Sequence, residues 1–527
     1  MKHLALSLVF LSFAFALMSA TPAGGQAEPV VKTGSGAVRG KLSEDGKIAE
    51  FLGIPYAVPP VGSLRWKAPQ PVAAWTGVRD ATSFGARCMQ LPLYSDMVFR
   101  DAGMSEDCLT LNIWVPTGSG GTKLPVMVWV YGGGFQAGGT SEPRQDGENL
   151  AHKGVIVVSM NYRLGVFGFL ATHALAKEFH PHSSGNYGLL DQSAALRWVQ
   201  KNIAAFGGDP HNITIFGESA GSFSVNMLMA SPLSRDIPAH AIGESGAANG
   251  KSSLPLLTLA MAEHQGEQFA KNVLHATTPA ELRAIPAEEI LKKLPQDFAP
   301  SGLHFTPIVD GYFLPKSVAA IYAAGEQARI PLLAGWNRNE NDMSPDEARG
   351  FTAEKLQTLA AQRFGANAVE FLKLYPAVND AEALQSANDL SGDTFIAYGT
   401  WSWLEAQVRT GDAPVYRYRF DLAVPSNSVS PQVHGAYHSD EIEYVFGTLD
   451  SRKGFAWRPE DYQLSELMQT YWTNFARTGD PNGSGLPTWP TYSPKDNWQV
   501  MHLSHPAAAA PDQWRDRYLF LQSVWGK

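Results

Sequence analysis

Residues 206–227 read FGGDPHNITIFGESAGSFSVNM. Ile213 to Phe216 is a short apolar run of the kind a buried strand uses, and Ser222 to Met229 opens a helical pattern. Between them stands Gly217-Glu218-Ser219-Ala220-Gly221, a G-x-S-x-G pattern. A serine at the apex of a very tight strand-to-helix turn is pushed into a strained backbone conformation. The residues two before and two after it must lack bulk, so that strand and helix can approach. The bare pentapeptide arises by chance often enough to carry little weight. The strand before it and the helix after it predict a nucleophile elbow, with the Ser219 hydroxyl held above a sheet and a helix N-terminus beneath it.

Leu124 to Tyr131 (LPVMVWVY) and Gly154 to Met160 are apolar enough for strands buried on both faces. Leu189 to Phe206 has helical periodicity through Leu190, Ala194, Leu196, Val199 and Ile203. Ala239 to Ile242, Ile330 to Trp336 and Pro414 to Phe420 read as later strands, and Tyr462 to Arg477 as an amphipathic helix. Strands alternating with helices predict a mostly parallel sheet covered on both sides, the α/β-hydrolase fold. Two helical stretches are inserted, Ser253 to about Pro300 and Ser344 to about Gln385. Each carries a capping box with proline at the first helical position, Thr278-Pro279-Ala280-Glu281 and Ser344-Pro345-Asp346-Glu347. No Pro-, Gly- or Ser-rich linker divides the chain, so residues 28–527 are expected to form one domain. Phe51 to Pro71 holds five prolines and reads as an extended surface segment.

The chain has 527 residues, 44% of them hydrophobic, enough for one large α/β domain. Its formal charge of −9 is spread without long runs, which argues against nucleic acid or an anionic membrane as partner. Lys2 and His3 precede an apolar stretch from Leu4 to Met18 and then small residues to Ala27. That is the layout of a secretory signal peptide and is too short for a comfortable membrane span. Residues 1–27 are therefore expected to be removed and the protein to be secreted or periplasmic without a stable membrane anchor. The alternative is an uncleaved N-terminal anchor. Cys88 and Cys108 are the only cysteines, and in an exported chain they read as a disulfide closing a loop of roughly 20 residues, worth ~3 kcal/mol if unstrained. The alternative is two buried thiols; with no histidine pattern beside them they do not make a zinc site.

A serine hydroxyl is a poor nucleophile near neutral pH and needs a base within hydrogen-bond reach, held in its tautomer by an acid. In this fold the order along the chain is nucleophile, acid, histidine, with acid and base after later strands. Glu340 and His438 meet that order, with Asp310, Asp342 and His434 as competitors. Gly132-Gly133-Gly134, at the end of the strand from Leu124, allows backbone N–H groups to crowd toward a ligand, and the N–H of Ala220 follows the serine.

The chain resembles the type-B carboxylesterases, a family of α/β hydrolases that includes bacterial para-nitrobenzyl esterases, fungal lipases and animal cholinesterases. The likeness rests on Pro55-Tyr56-Ala57, Leu64-Arg65-Trp66, Ser105-Glu106-Asp107-Cys108-Leu109 and Tyr131-Gly132-Gly133-Gly134-Phe135. It continues through Asn161-Tyr162-Arg163, Gly188-Leu189-Leu190-Asp191-Gln192, the elbow itself and Gly479-Asp480-Pro481-Asn482. The resemblance implies a Ser219–His438–Glu340 triad acting on a small-molecule carboxylic ester through an acyl-enzyme, with no metal or organic cofactor. It implies oxyanion donors at Gly133, Gly134 and Ala220, a supporting role for Ser245 beside the acid, and a Cys88–Cys108 disulfide. Arg65 with Glu106, and Arg163 with Asp191, resemble the structural ion pairs of the family. Cholinesterases carry a tryptophan between their first two cysteines; here that interval holds only Tyr94 and Phe99 as aromatics, so acetylcholine is not the expected substrate. Two alternatives stand beside a general esterase: an enzyme for a narrow polyester, feruloyl or mycotoxin ester, and a non-catalytic cholinesterase-like binding module.

Overall fold

The computed structural model describes residues 28–525 except 119, 180, 251–253, 296–302 and 426–434. The expected signal peptide and His434 lie outside the described residues. Eleven strands form the main sheet. In chain order they are β1 (Lys41–Leu42), β2 (Ile48–Pro55), β3 (Thr110–Pro116), β4 (Leu124–Val130), β5 (Ile156–Met160) and β6 (Gly208–Glu218). There follow β7 (His240–Glu244), β8 (Leu332–Asn337), β9 (Val415–Phe420), β10 (Gln499–Leu503) and β11 (Ala508–Pro511). Across the sheet they lie in the order β11-β10-β9-β8-β7-β6-β4-β5-β3-β2-β1. From β5 through β4 to β10 every neighbouring pair is parallel, and both edges are antiparallel.

The chain alternates β6 with helices, α1 (Tyr187–Asn202) before it and α2 (Ala220–Ala230) after it. Further on come α3 (Asp380–Gly392), α4 (Tyr398–Thr410) and α5 (Pro459–Thr478). Successive strand residues point to opposite faces, so β7 reports which helix covers which side. A Cβ at Gly243 would meet Trp403 of α4 and Ser222 of α2, whereas the neighbouring Glu244 accepts a hydrogen bond from Trp472 of α5. Helices α2 and α4 therefore pack on one face and α5 on the other. The two capping boxes form at Thr278 and Ser344, heading short helices of the inserted stretches.

Two expectations are revised. Phe51 to Pro71 is a surface segment only in part: residues 61–63 and 70–71 are exposed, but β2 continues to Pro55, and Tyr56, Ala57, Arg65 and Trp66 are buried. The prolines end the ladder, yet the remaining polar groups find partners inside. The Tyr56 hydroxyl donates to Asn161 O at 2.7 Å, the Trp66 indole to Val166 O at 2.8 Å, and Arg65 grips Glu106 with two bonds of 2.5 Å. Ala508–Pro511, which offers no strand pattern of its own, is the edge strand β11, paired antiparallel with β10. The elbow helix starts at Ala220 rather than Ser222, directly after the serine. Cys88 and Cys108 form a disulfide, and Arg163 holds Asp191 through two bonds of 2.7 Å. Among the described residues no helix is long and apolar enough to cross a membrane.

Candidate active site

Ser219 sits between β6 and α2 with φ 52° and ψ −122°. The turn closes only because Gly217 and Gly221 lack side chains: a Cβ on them would stand 2.6 Å and 1.9 Å from Val130 O on β4. Glu340 follows β8 by three residues, and His438 lies beyond β9. Because β6, β8 and β9 run parallel, their C-terminal ends reach the same edge of the sheet, where sites on open α/β sheets gather. The loops bearing the acid and the histidine are stitched together: Asn339 N donates to Ala436 O at 2.8 Å, and the Asn337 side chain donates to Tyr437 O at 2.6 Å.

The outcome is a continuous row. Ser219 Oγ lies 2.9 Å from His438 Nε2, and His438 Nδ1 lies 2.6 Å from Glu340 Oε2. The other carboxylate oxygen, Oε1, accepts the Ser245 hydroxyl at 2.6 Å and the Asn337 N–H at 2.6 Å. Glu441 accepts from the Asn337 amide at 2.5 Å and from Ser245 at 3.4 Å, so it orients the two groups that orient Glu340. The competitors are occupied elsewhere. Asp310 accepts from Ser183 and from the backbone of Phe313 and Leu314, and Asp342 accepts from Asn339.

Between α3 and α4 the helix widens into a π-turn, Asp393–Ala397. It sets the Phe395 ring edge-to-face with His438, centroids 5.2 Å apart, while Gly392 backs onto Glu340. Ser219, Gly133, Gly134, Phe223, Phe395 and His438 line a cavity of about 360 Å³. Gly133 and Gly134 have φ 101° and 62°, and a Cβ on Gly133 would stand 2.2 Å from Ala137 O, so this backbone has no room for a side chain. Ala220 is buried as the first residue of α2, where N–H groups have no intrahelical acceptor.

The profile of the carboxylesterase family matches residues 27–519. The chain belongs to that family. Fumonisin B1 esterase of Sphingopyxis macrogoltabida is 40% identical over 475 residues, covering 87% of this chain and 84% of that protein. Liver carboxylesterase 1 of Oryctolagus cuniculus is 36% identical over 568 residues, covering 98% of this chain and 97% of the relative. A solved structure titled PNB esterase superposes with a TM-score of 0.75 at 34% identity, covering 94% of this chain and all 100% of that one. The protein is thus a carboxylesterase with the α/β-hydrolase fold.

The electrostatics of this carboxylesterase are set by residues that reading the sequence for a triad passes over. Glu218, the variable residue before the serine, is buried, accepts the Ser439 hydroxyl at 2.6 Å, and lies 3.4 Å from His438 Nε2. Burial opposes a charge on His438, but the carboxylates of Glu218 and Glu340 outweigh it and lift the imidazole to about 9. Without the Glu218 charge the imidazolium loses a stabilising neighbour, so the neutral base persists to lower pH. Glu218→Gln is expected to move the acid limb of kcat/KM down by about one pH unit. A pH–rate profile checks this, and an unmoved limb would mean that Glu218 does not act on the histidine.

Glu244 lies deeper, on β7. Its Oε1 accepts the Trp472 indole N–H at 2.7 Å, and its Oε2 has no hydrogen-bond partner among the described residues. Burial pushes its carboxyl up to about 8. The folded state then keeps a proton that the unfolded chain gives up, so stability is full below the ordinary carboxyl range and is lost as pH rises toward 8. Glu244→Gln removes that dependence. The Tm of the variant relative to the parent is expected to climb between pH 5 and pH 9, and a pH-independent difference would show Glu244 ionised throughout.

Proposed function

We propose that this carboxylesterase hydrolyses carboxylic esters through an acyl-enzyme on Ser219. The observation that carries the reading is the hydrogen-bonded row of hydroxyl, imidazole and carboxylate beside the cavity lined by Gly133 and Gly134. His438 takes the serine proton as Oγ attacks the ester carbonyl, and Glu340 stabilises the imidazolium and fixes its tautomer. The N–H groups of Gly133, Gly134 and Ala220 receive the oxyanion; one such donor is worth roughly 10²–10³ in kcat. His438 then protonates the departing alcohol, and water repeats the sequence on the acyl group. These steps call on side chains and backbone alone.

Stopped-flow mixing with p-nitrophenyl acetate is the test. A burst of nitrophenol equal to the enzyme concentration is expected when deacylation is the slower step, and no turnover of any p-nitrophenyl ester would end the reading. A non-catalytic module of this family has no need of such a row, and the hydrogen bonds joining Ser219, His438 and Glu340 support the catalytic reading over it. A narrower reading, an esterase for a mycotoxin ester, is favoured by the 40% identity to an enzyme named for fumonisin B1, the first natural ester to assay. Export follows from the pattern of residues 1–27. N-terminal sequencing of the mature protein is expected to begin just after Ala23 or Ala27.

A further inference from the structure

Beside the catalytic cavity lies a second one of about 330 Å³, walled by Leu91, Leu93, Phe99, Met104 and Ala137. Tyr94 and Met97 line both cavities. The terminal methyl of Met97 stands 3.0 Å from where a Cβ of Gly133 would be, so this side chain lies over the glycine-rich turn at the partition. Both polar residues that also line the second cavity are engaged. Gln90 exchanges bonds of 2.7 Å and 2.9 Å with Gly138, and Arg87 is paired with Asp101 and lies over the Phe99 ring. Apart from Tyr94, the other side chains that line it are apolar.

The segment that builds this chamber has no helix and lies inside the ring closed by Cys88–Cys108. It is fastened by Gln90 on Gly138 and, directly before Met97, by Asp96 on Arg144 at 3.1 Å. The partition itself includes a thioether with three rotatable bonds, the side chain best able to turn aside and remake its contacts. We propose that the two cavities serve as one site, in which an ester with a long uncharged apolar arm sends that arm past Met97 into the second chamber. The proposal rests on the esterase reading and names the class of substrate that this site takes.

Steady-state kcat/KM of the full-length enzyme, measured over p-nitrophenyl esters from acetate to dodecanoate and over alkyl acetates of the same lengths, tests it. A methylene seated in apolar surroundings is worth about four-fold. Leu93→Trp adds bulk to the lining of the second chamber and is expected to lower the decanoate-to-butyrate ratio, or its alkyl acetate counterpart, about fifteen-fold, two methylenes' worth. Met97→Ala removes the partition and is expected to raise the same ratio at least about four-fold, and Met97→Leu, close in volume, to leave it near the parent value. The series that responds identifies the acyl or the alcohol arm. If Leu93→Trp does not fold, Met97→Ala decides. Ratios within two-fold of the parent in both series, with butyrate still hydrolysed, overturn the proposal and leave the esterase reading standing; no hydrolysis of any ester by the parent overturns both.

Discussion

Ser219→Ala is expected to lower kcat on p-nitrophenyl butyrate by about five to six orders of magnitude while leaving thermal stability almost unchanged. The two effects separate because the serine contributes to the fold mainly through its backbone. Its φ of 52° belongs to the turn, and alanine inherits it with nearly the same steric cost. The hydroxyl hydrogen bond to His438 is lost, and with it the route to an acyl-enzyme. What activity remains would come from the oxyanion donors and binding alone. A variant keeping a tenth of the parent rate would move the nucleophile to another residue.

The second large effect falls on the fold. Gly221→Ala puts a Cβ 1.9 Å from Val130 O, 2.8 Å from Val130 C and 3.1 Å from Tyr131 C. All three are backbone atoms of β4 or its end, so no side chain can swing away; α2 or the central sheet must shift. The expected loss is about 5 kcal/mol or more, seen as insoluble expression or a collapsed urea midpoint. Gly77→Ala is the contrast. Gly77 has a positive φ of 77°, which the helical Gly221 does not share, but nothing lies within 4 Å of the new Cβ, and only the left-handed backbone cost of about 1–2 kcal/mol is expected. A loss at Gly221 no larger than that at Gly77 would mean that the close approach of helix to strand does not govern the elbow.

Much of this architecture is legible in the sequence because its causes are local. The elbow needs small residues two positions either side of the serine, and a buried parallel strand needs an apolar run, as in Leu124–Val130. Capping boxes declare themselves within four residues, as at Thr278 and Ser344. The acid and the histidine are a different matter. Glu340 and Asp342 stand two residues apart and look alike as carboxylates in a loop. What separates them in the structure is which one meets Asn337 N, Ser245 and His438, groups up to 98 positions away. Resemblance to a family favoured Glu340 where spacing left a choice.

Other parts carry no local signal. Phe395 reaches His438 because a helix takes one wide turn at Asp393–Ala397, and nothing in that pentapeptide marks such a turn. Glu218 hides in the variable position of a well-known pattern, although an acidic residue beside a nucleophile could have flagged it. Arg65 and Trp66 looked exposed among prolines, yet they are buried by chain arriving from Glu106, Val166 and Ile285. Strand β11 is four residues of Ala and Pro, and it exists because β10 offers it an edge.

Treatment with a fluorophosphonate followed by tandem mass spectrometry of the elbow peptide examines the nucleophile itself. Ser222 and Ser224 travel in the same region but are buried and already donate to Gly246 O and Ala220 O. One phosphonyl group on Ser219, with activity falling in step with labelling, is the expected result. A label on any other serine, or full labelling of Ser219 with esterase activity intact, would show that ester hydrolysis in this protein does not run through that hydroxyl.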